Sequence, residues 1–116
     1  MSDSVRRFFN AWGDGDAEAR MAVLNDVLAA GVRYADPRLE EALVGTAAVI
    51  DYVGQYSAMA PGAIAQIANM DVRDGIIRAT VEFIMADGHI QPGQFVIEVD
   101  SDERLTRIVG FKGTGA

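Results

Sequence analysis

The hydrophobic pattern of this chain changes period once, near Pro61 and Gly62, and that change limits the folds open to it. Before it, apolar residues recur at helical spacing. Val5, Phe8, Phe9 and Trp12 fall at i, i+3, i+4 and i+7, a stripe entered through Ser2, Asp3 or Ser4 and stopped at Gly13. A second helix is expected to open at Asp16, to carry Met21, Leu24, Val27 and Leu28 on one face, and to end at Gly31. The acidic residues Asp14, Asp16 and Glu18 suit the positive end of its dipole. Val32 to Asp36 reads as a short strand. Thr46 is then expected to cap a third helix whose face is Val49, Ile50, Val53 and Tyr56, closed by Pro61 and Gly62.

After Gly62 the alternation is period two. Four strand-like runs follow, at 63–73, 76–86, 89–100 and 104–112, and two of the breaks are the hairpin pairs Asp74-Gly75 and Asp87-Gly88. Helices first and sheet second predict an α+β fold, with the helices packed on one face of a curved antiparallel sheet. A length of 116 residues, half of them apolar, supports one domain over 1–116 with a core of its own.

The charge and the missing residue types exclude several functions. Without cysteine there is no disulfide framework, no thiolate nucleophile and no cysteine-ligated zinc. A single histidine, His89, cannot build a multi-histidine metal site, and the acids near Asp14 lack the loop of a calcium-binding hand, so no metal is expected. The GDGDAE segment has no strand before it and no third glycine, and no cofactor is called for. With a net charge of -7 and no basic stripe, nucleic acid and anionic membrane surfaces are not expected partners, and a neutral small molecule is. The longest apolar runs fall far short of the roughly 20 residues of a membrane span, and a cytoplasmic setting is expected.

Parity along the strands picks out candidate site residues. Ile77, Ala79, Val81, Phe83 and Met85 share the face expected to meet the helices, and Phe95, Ile97 and Val99 continue it. His89, Gln91 and Gly93 extend that face backwards, so polar groups stand at one end of an apolar surface; a bulge at Pro92-Gly93 would reverse them. Gln66 is a similar intruder, in step with Ile64, Ala68, Met70 and Val72. Asp36 falls in step with Val32 and Tyr34 and precedes a proline. It reads either as a turn-forming aspartate or as a partly buried acid at the mouth of a pocket. Phe8, Trp12, Tyr34, Tyr52, Tyr56, Phe83 and Phe95 are core aromatics by spacing and pocket walls by the alternative reading. Trp12 and Tyr34 are the strongest pocket candidates among them, since each has a polar tip.

The run FFNAWGDGDAEARMAVL, then VRYADP, GTAAVIDYV and LTRIVGFKG, resembles the nuclear transport factor 2-like superfamily, and within it the SnoaL-like and ketosteroid isomerase-like proteins, over nearly the whole chain. The resemblance implies a cone-shaped, cystatin-like α+β fold. In it three N-terminal helices close a strongly curved antiparallel sheet around an apolar pocket, and two copies pair through the outer sheet face. It also implies a general base at Asp36. In ketosteroid isomerases that base works beside an oxyanion hole made of a tyrosine and a protonated aspartate. Those two donors would fall at Phe8 and Gly93, and neither can donate a side-chain hydrogen bond. That argues against steroid isomerisation by the familiar route. Polyketide cyclases of the group use an acid on the later strands, where this chain has His89 and Gln91.

Two functions remain open on these grounds. One is a small-molecule pocket running isomerase, cyclase or hydrolase chemistry on a small neutral cyclic compound, with Asp36 and then His89 as acid/base groups. The other is a noncatalytic binding or dimeric assembly module whose cone is filled by core side chains.

Overall fold

The structure is a computed structural model and describes residues 2–115; the two ends of the expected 1–116 domain lie outside the described residues. Three helices, α1 (Ser2–Trp12), α2 (Ala17–Val27) and α3 (Thr46–Met59), accompany six strands. The strands are β1 (Leu28–Ala35), β2 (Leu43–Val44), β3 (Ile64–Arg73), β4 (Ile76–Ile84), β5 (Ile90–Val99) and β6 (Leu105–Lys112). They form one open sheet in the order β2-β1-β6-β5-β4-β3. The last four make the expected antiparallel meander. The sheet as a whole is mixed, because β1 runs parallel to β6.

The first helix buries Val5, Phe8, Phe9 and Trp12, as its periodicity predicts. Asp16 caps α2, its carboxylate accepting from the backbone N–H groups of Glu18 and Ala19. That helix stops at Val27, short of Gly31, and Met21 is exposed. Leu28 leaves the helix because it pairs with Leu105 on β6, and Gly31 lies in the irregular stretch between the Leu28 and Arg33 pairings. Sheet pairing here overrides a helical pattern. Thr46 is the first residue of α3 and not its cap. Gly45 occupies the cap position at φ 98°, a conformation that favours glycine, and the Thr46 hydroxyl donates to the Ala29 carbonyl at 3.0 Å.

The Asp74-Gly75 hairpin has both residues at positive φ, as a tight turn matched to sheet twist requires. In β3 the register shifts between Ile67 and Asn69. Ala65 and Ile67 face the helices opposite Phe83 and Val81, and beyond the bulge Met70 does so opposite Ala79. Such a bulge bends its strand. The core is one cluster in which aromatic rings meet edge to face: Phe9 lies 4.9 Å from Phe95, and Trp12 lies 5.1 Å from Tyr56 and 5.5 Å from Phe83. Among the described residues no helix is long and apolar enough to cross a membrane.

Candidate functional site

A cavity of about 690 Å³ opens beside β5, with Trp12, Phe83 and Phe95 among its walls and Asp36, Arg38, His89, Gln91 and Lys112 as its polar groups. Gln91 belongs there because β5 pairs with β4 in unbroken register from Ile76–Glu98 to Ile84–Ile90. No bulge at Pro92-Gly93 reverses its parity. Gln66 does not belong there. The β3 bulge puts it out of step with Met70, and it stands exposed opposite Glu82 on the outer face.

Asp36 forms the Asp-Pro turn and also lines the cavity. Its Oδ1 accepts the backbone N–H of Arg38 at 2.9 Å, which is the Asp-Pro turn. Its Oδ2 accepts two phenolic O–H groups, from Tyr34 and Tyr52, each at 2.7 Å. Tyr34 arrives by alternation along β1, and Tyr52 comes from α3. A carboxylate has about four acceptor positions. Three are used here, and one on Oδ1 remains for a group in the cavity.

The tyrosines are held protonated by this arrangement. Burial, followed by the charge of Asp36 and its hydrogen bond, raises Tyr34 well above the usual 10.0. Burial raises Tyr52 too, together with the same bond and charge, while Arg38 pulls the other way. Both hydroxyls are committed to Asp36 as donors. Tyr56 is raised by burial and lowered by Arg38, whose guanidinium carbon lies 5.1 Å from its ring centre. The Tyr56 hydroxyl and the Trp12 indole N–H are buried without a hydrogen-bond partner.

Phe8, Tyr34, Tyr52 and Tyr56 stand outside the cavity walls. Phe8 and Tyr34 have no exposure at all and serve the core. Trp12, Phe83 and Phe95 line the cavity as well as packing with one another. Space at Gly93 is tight: a Cβ there would lie 3.2 Å from the Phe111 carbonyl oxygen and 3.5 Å from the Phe95 ring. Two lining residues, Arg38 and Lys112, carried no signal in the sequence. Arg38 is an ordinary turn residue until Gln91 and Tyr56 meet it, and Lys112 is a strand-end lysine until it pairs opposite Gly93. Among the described residues no three His, Asp or Glu side chains are grouped as metal ligands.

Solved structures show where this architecture recurs. An isomerase candidate of the SnoaL-like family from Agrobacterium tumefaciens superimposes with a TM-score of 0.87 at 22% identity, over 97% of each chain. The fold is that of the nuclear transport factor 2-like proteins. A hypothetical protein of ketosteroid isomerase-like fold from Catenulispora acidiphila, in complex with trimethylamine, gives 0.79 at 13% identity. It covers 97% of this chain and 87% of its own. A candidate SnoaL-like polyketide cyclase from Jannaschia gives 0.76 at 14% identity, covering 95% of this chain and 83% of its own. No family profile matches the sequence, and no curated protein does. The nuclear transport factor 2-like cone here keeps a carboxylate in its wall, and its neighbours share the shape without sharing the sequence.

Proposed function

We propose that this chain binds a small, mostly apolar molecule in the cavity beside β5, with Asp36 as the acid/base group of an isomerase-, cyclase- or hydrolase-type reaction. The observation that carries this is the Asp36 carboxylate, which lines the cavity while two tyrosines and a backbone N–H hold it in one orientation. One acceptor position on Oδ1 is left to take a proton from a carbon beside a carbonyl, or from a water. A cavity of about 690 Å³ lies within the range of roughly 300–1,000 Å³ usual for small-molecule sites. The Catenulispora relative holds a small amine, which supports ligand binding as a use of this fold.

With Phe8 buried and Gly93 crowded, donors for a developing oxyanion have to come from elsewhere. Gln91 is suited to this: its carbonyl oxygen accepts from Arg38 at 3.3 Å, which leaves its amide N–H groups free to donate. His89 stands in the same lining as a second acid/base group. The exposed Ile76 and the half-buried Ile84 and Val96 on the outer sheet face are the surface through which two copies would pair, and a cytoplasmic setting belongs to the same reading. Sedimentation at one-chain mass at micromolar concentration would reject the pairing.

Trp12, the single tryptophan, lies in the cavity wall and reports on it. The test is to titrate its fluorescence in the wild type and in Asp36→Asn with a cyclic ketone and with a phenol that mimics the enolate. Saturable binding of the phenol, tightened when Asp36 is neutralised, is the expected result. If neither compound binds either folded protein, the assembly-module reading replaces this one.

A further inference from the structure

The chain as a whole is acidic, at -7, but the mouth of its cavity is not. Arg38 and Lys112 line it together with His89, against one acid, Asp36, whose oxygens already accept three protein donors. Among the described residues the ion pairs are Arg7–Asp26, Arg78–Asp71 and Arg107–Glu98, and neither Arg38 nor Lys112 takes part in one. Of the arginines outside those pairs, Arg38 is the one that lines this cavity.

Arg38 is also fixed in place. Its backbone N–H is tied to Asp36, one guanidinium nitrogen donates to Gln91 at 3.3 Å, and the guanidinium lies over the Tyr56 ring. A guanidinium has five N–H donors in a rigid fork, so a pair remains for a planar, two-oxygen acceptor. The cavity wall has further unmet donor capacity, since Trp12 Nε1–H is buried without an acceptor. Buried donors without partners are rare in native proteins.

We propose that the ligand of this cavity is a carboxylate with a compact apolar body, its head bound by Arg38 and Lys112 and its body against Trp12, Phe83 and Phe95. This rests on the small-molecule reading above and replaces an uncharged ligand by a singly anionic one. A doubly charged phosphate fits less well, because it would face the Asp36 carboxylate and the field of a chain at -7.

Three probes of one shape separate the outcomes: cyclohexanecarboxylate, cyclohexanecarboxamide and cyclohexylammonium, titrated calorimetrically and by Trp12 fluorescence at low salt. The carboxylate is expected to bind about tenfold or more tighter than the amide, with the preference shrinking as salt is added. Arg38→Gln is expected to abolish that preference, weakening the carboxylate far more than the amide, and Lys112→Gln to reduce it. Both substitutions are at exposed positions, and circular dichroism checks that they fold. Amide or ammonium binding as tight as the carboxylate overturns the anion assignment and leaves the small-molecule pocket standing. A carboxylate preference that survives Arg38→Gln overturns the role of Arg38. If none of the three binds, the pocket reading fails as well.

Discussion

The cluster of Tyr34, Asp36 and Tyr52 makes a quantitative prediction about coupling. Tyr34 is fully buried, so Tyr34→Phe keeps the ring and removes only one hydrogen bond to a carboxylate, a loss of about 1.5–3 kcal/mol. Asp36→Leu removes the acceptor from both phenols and from the Arg38 N–H. It should cost more, because it also removes the bonds from Tyr52 and from the Arg38 N–H and leaves the Tyr34 hydroxyl buried without a partner. In a chain that already carries Tyr34→Phe, that hydroxyl is gone. Asp36→Leu should then cost about 1.5–3 kcal/mol less than it does in the wild type. Both single variants should stay folded, since domains of this kind have about 5–15 kcal/mol in hand. Tyr52→Phe should show a smaller coupling, because Tyr52 is only partly buried and water can replace part of its bond. The assay is equilibrium urea unfolding at neutral pH of the four proteins of each cycle, accepting only transitions with unchanged m-values. A Tyr34–Asp36 coupling below about 0.5 kcal/mol would show that the bond does not form in solution. The reasoning that makes Asp36 an oriented group in the cavity wall would then be wrong.

Alkaline pH supplies a second prediction. All three tyrosines have folded-state values raised above 10.0, so the folded protein holds their protons more tightly than the unfolded chain does. Their contribution is complete below pH 10.0 and is lost as the pH rises through their raised values. Stability should fall by up to about 1.4 kcal/mol per pH unit for each tyrosine. Tyrosinate absorbance should appear together with unfolding; its appearance at ordinary tyrosine pH in a protein that remains folded would contradict this. A third prediction concerns Gly110, where an added Cβ would lie 2.6 Å from a carbon of the Phe95 ring. Gly110→Ala should destabilise the protein by about 1–3 kcal/mol in urea and disturb the cavity wall that Phe95 forms; an unchanged midpoint would refute the packing there.

The elements were legible wherever burial on one face alone sets the pattern. The stripe of α1, the four strands of the meander and the Asp74-Gly75 turn are local solutions to local periodicities, and the sequence states them directly. It misleads where a distant partner decides. Leu28 continues a helical stripe, yet it is drawn into the sheet by Leu105, and Gln66 keeps perfect alternation until a bulge two residues on reverses its face. Asp36 shows both cases at once. Its turn follows from the Asp-Pro dipeptide, whereas its second oxygen is claimed by Tyr52, a residue on α3 that no spacing links to it.

By itself, then, the sequence determined an α+β chain with three helices, a late meander, no thiol chemistry and an overall negative charge, because composition and period are properties of the chain alone. Only the tertiary structure decided which side chains became cavity and which became core. Phe8 and Tyr34 vanish into the interior, while Trp12 and Phe95 keep one side on the opening. It also decided the sign of charge a ligand meets at the mouth, since Arg38 and Lys112 lie 74 positions apart in sequence and reach one cavity only through the β1–β6 and β5–β6 pairings. Net charge sums over the molecule, but a ligand responds to the few groups within about a Debye length of it.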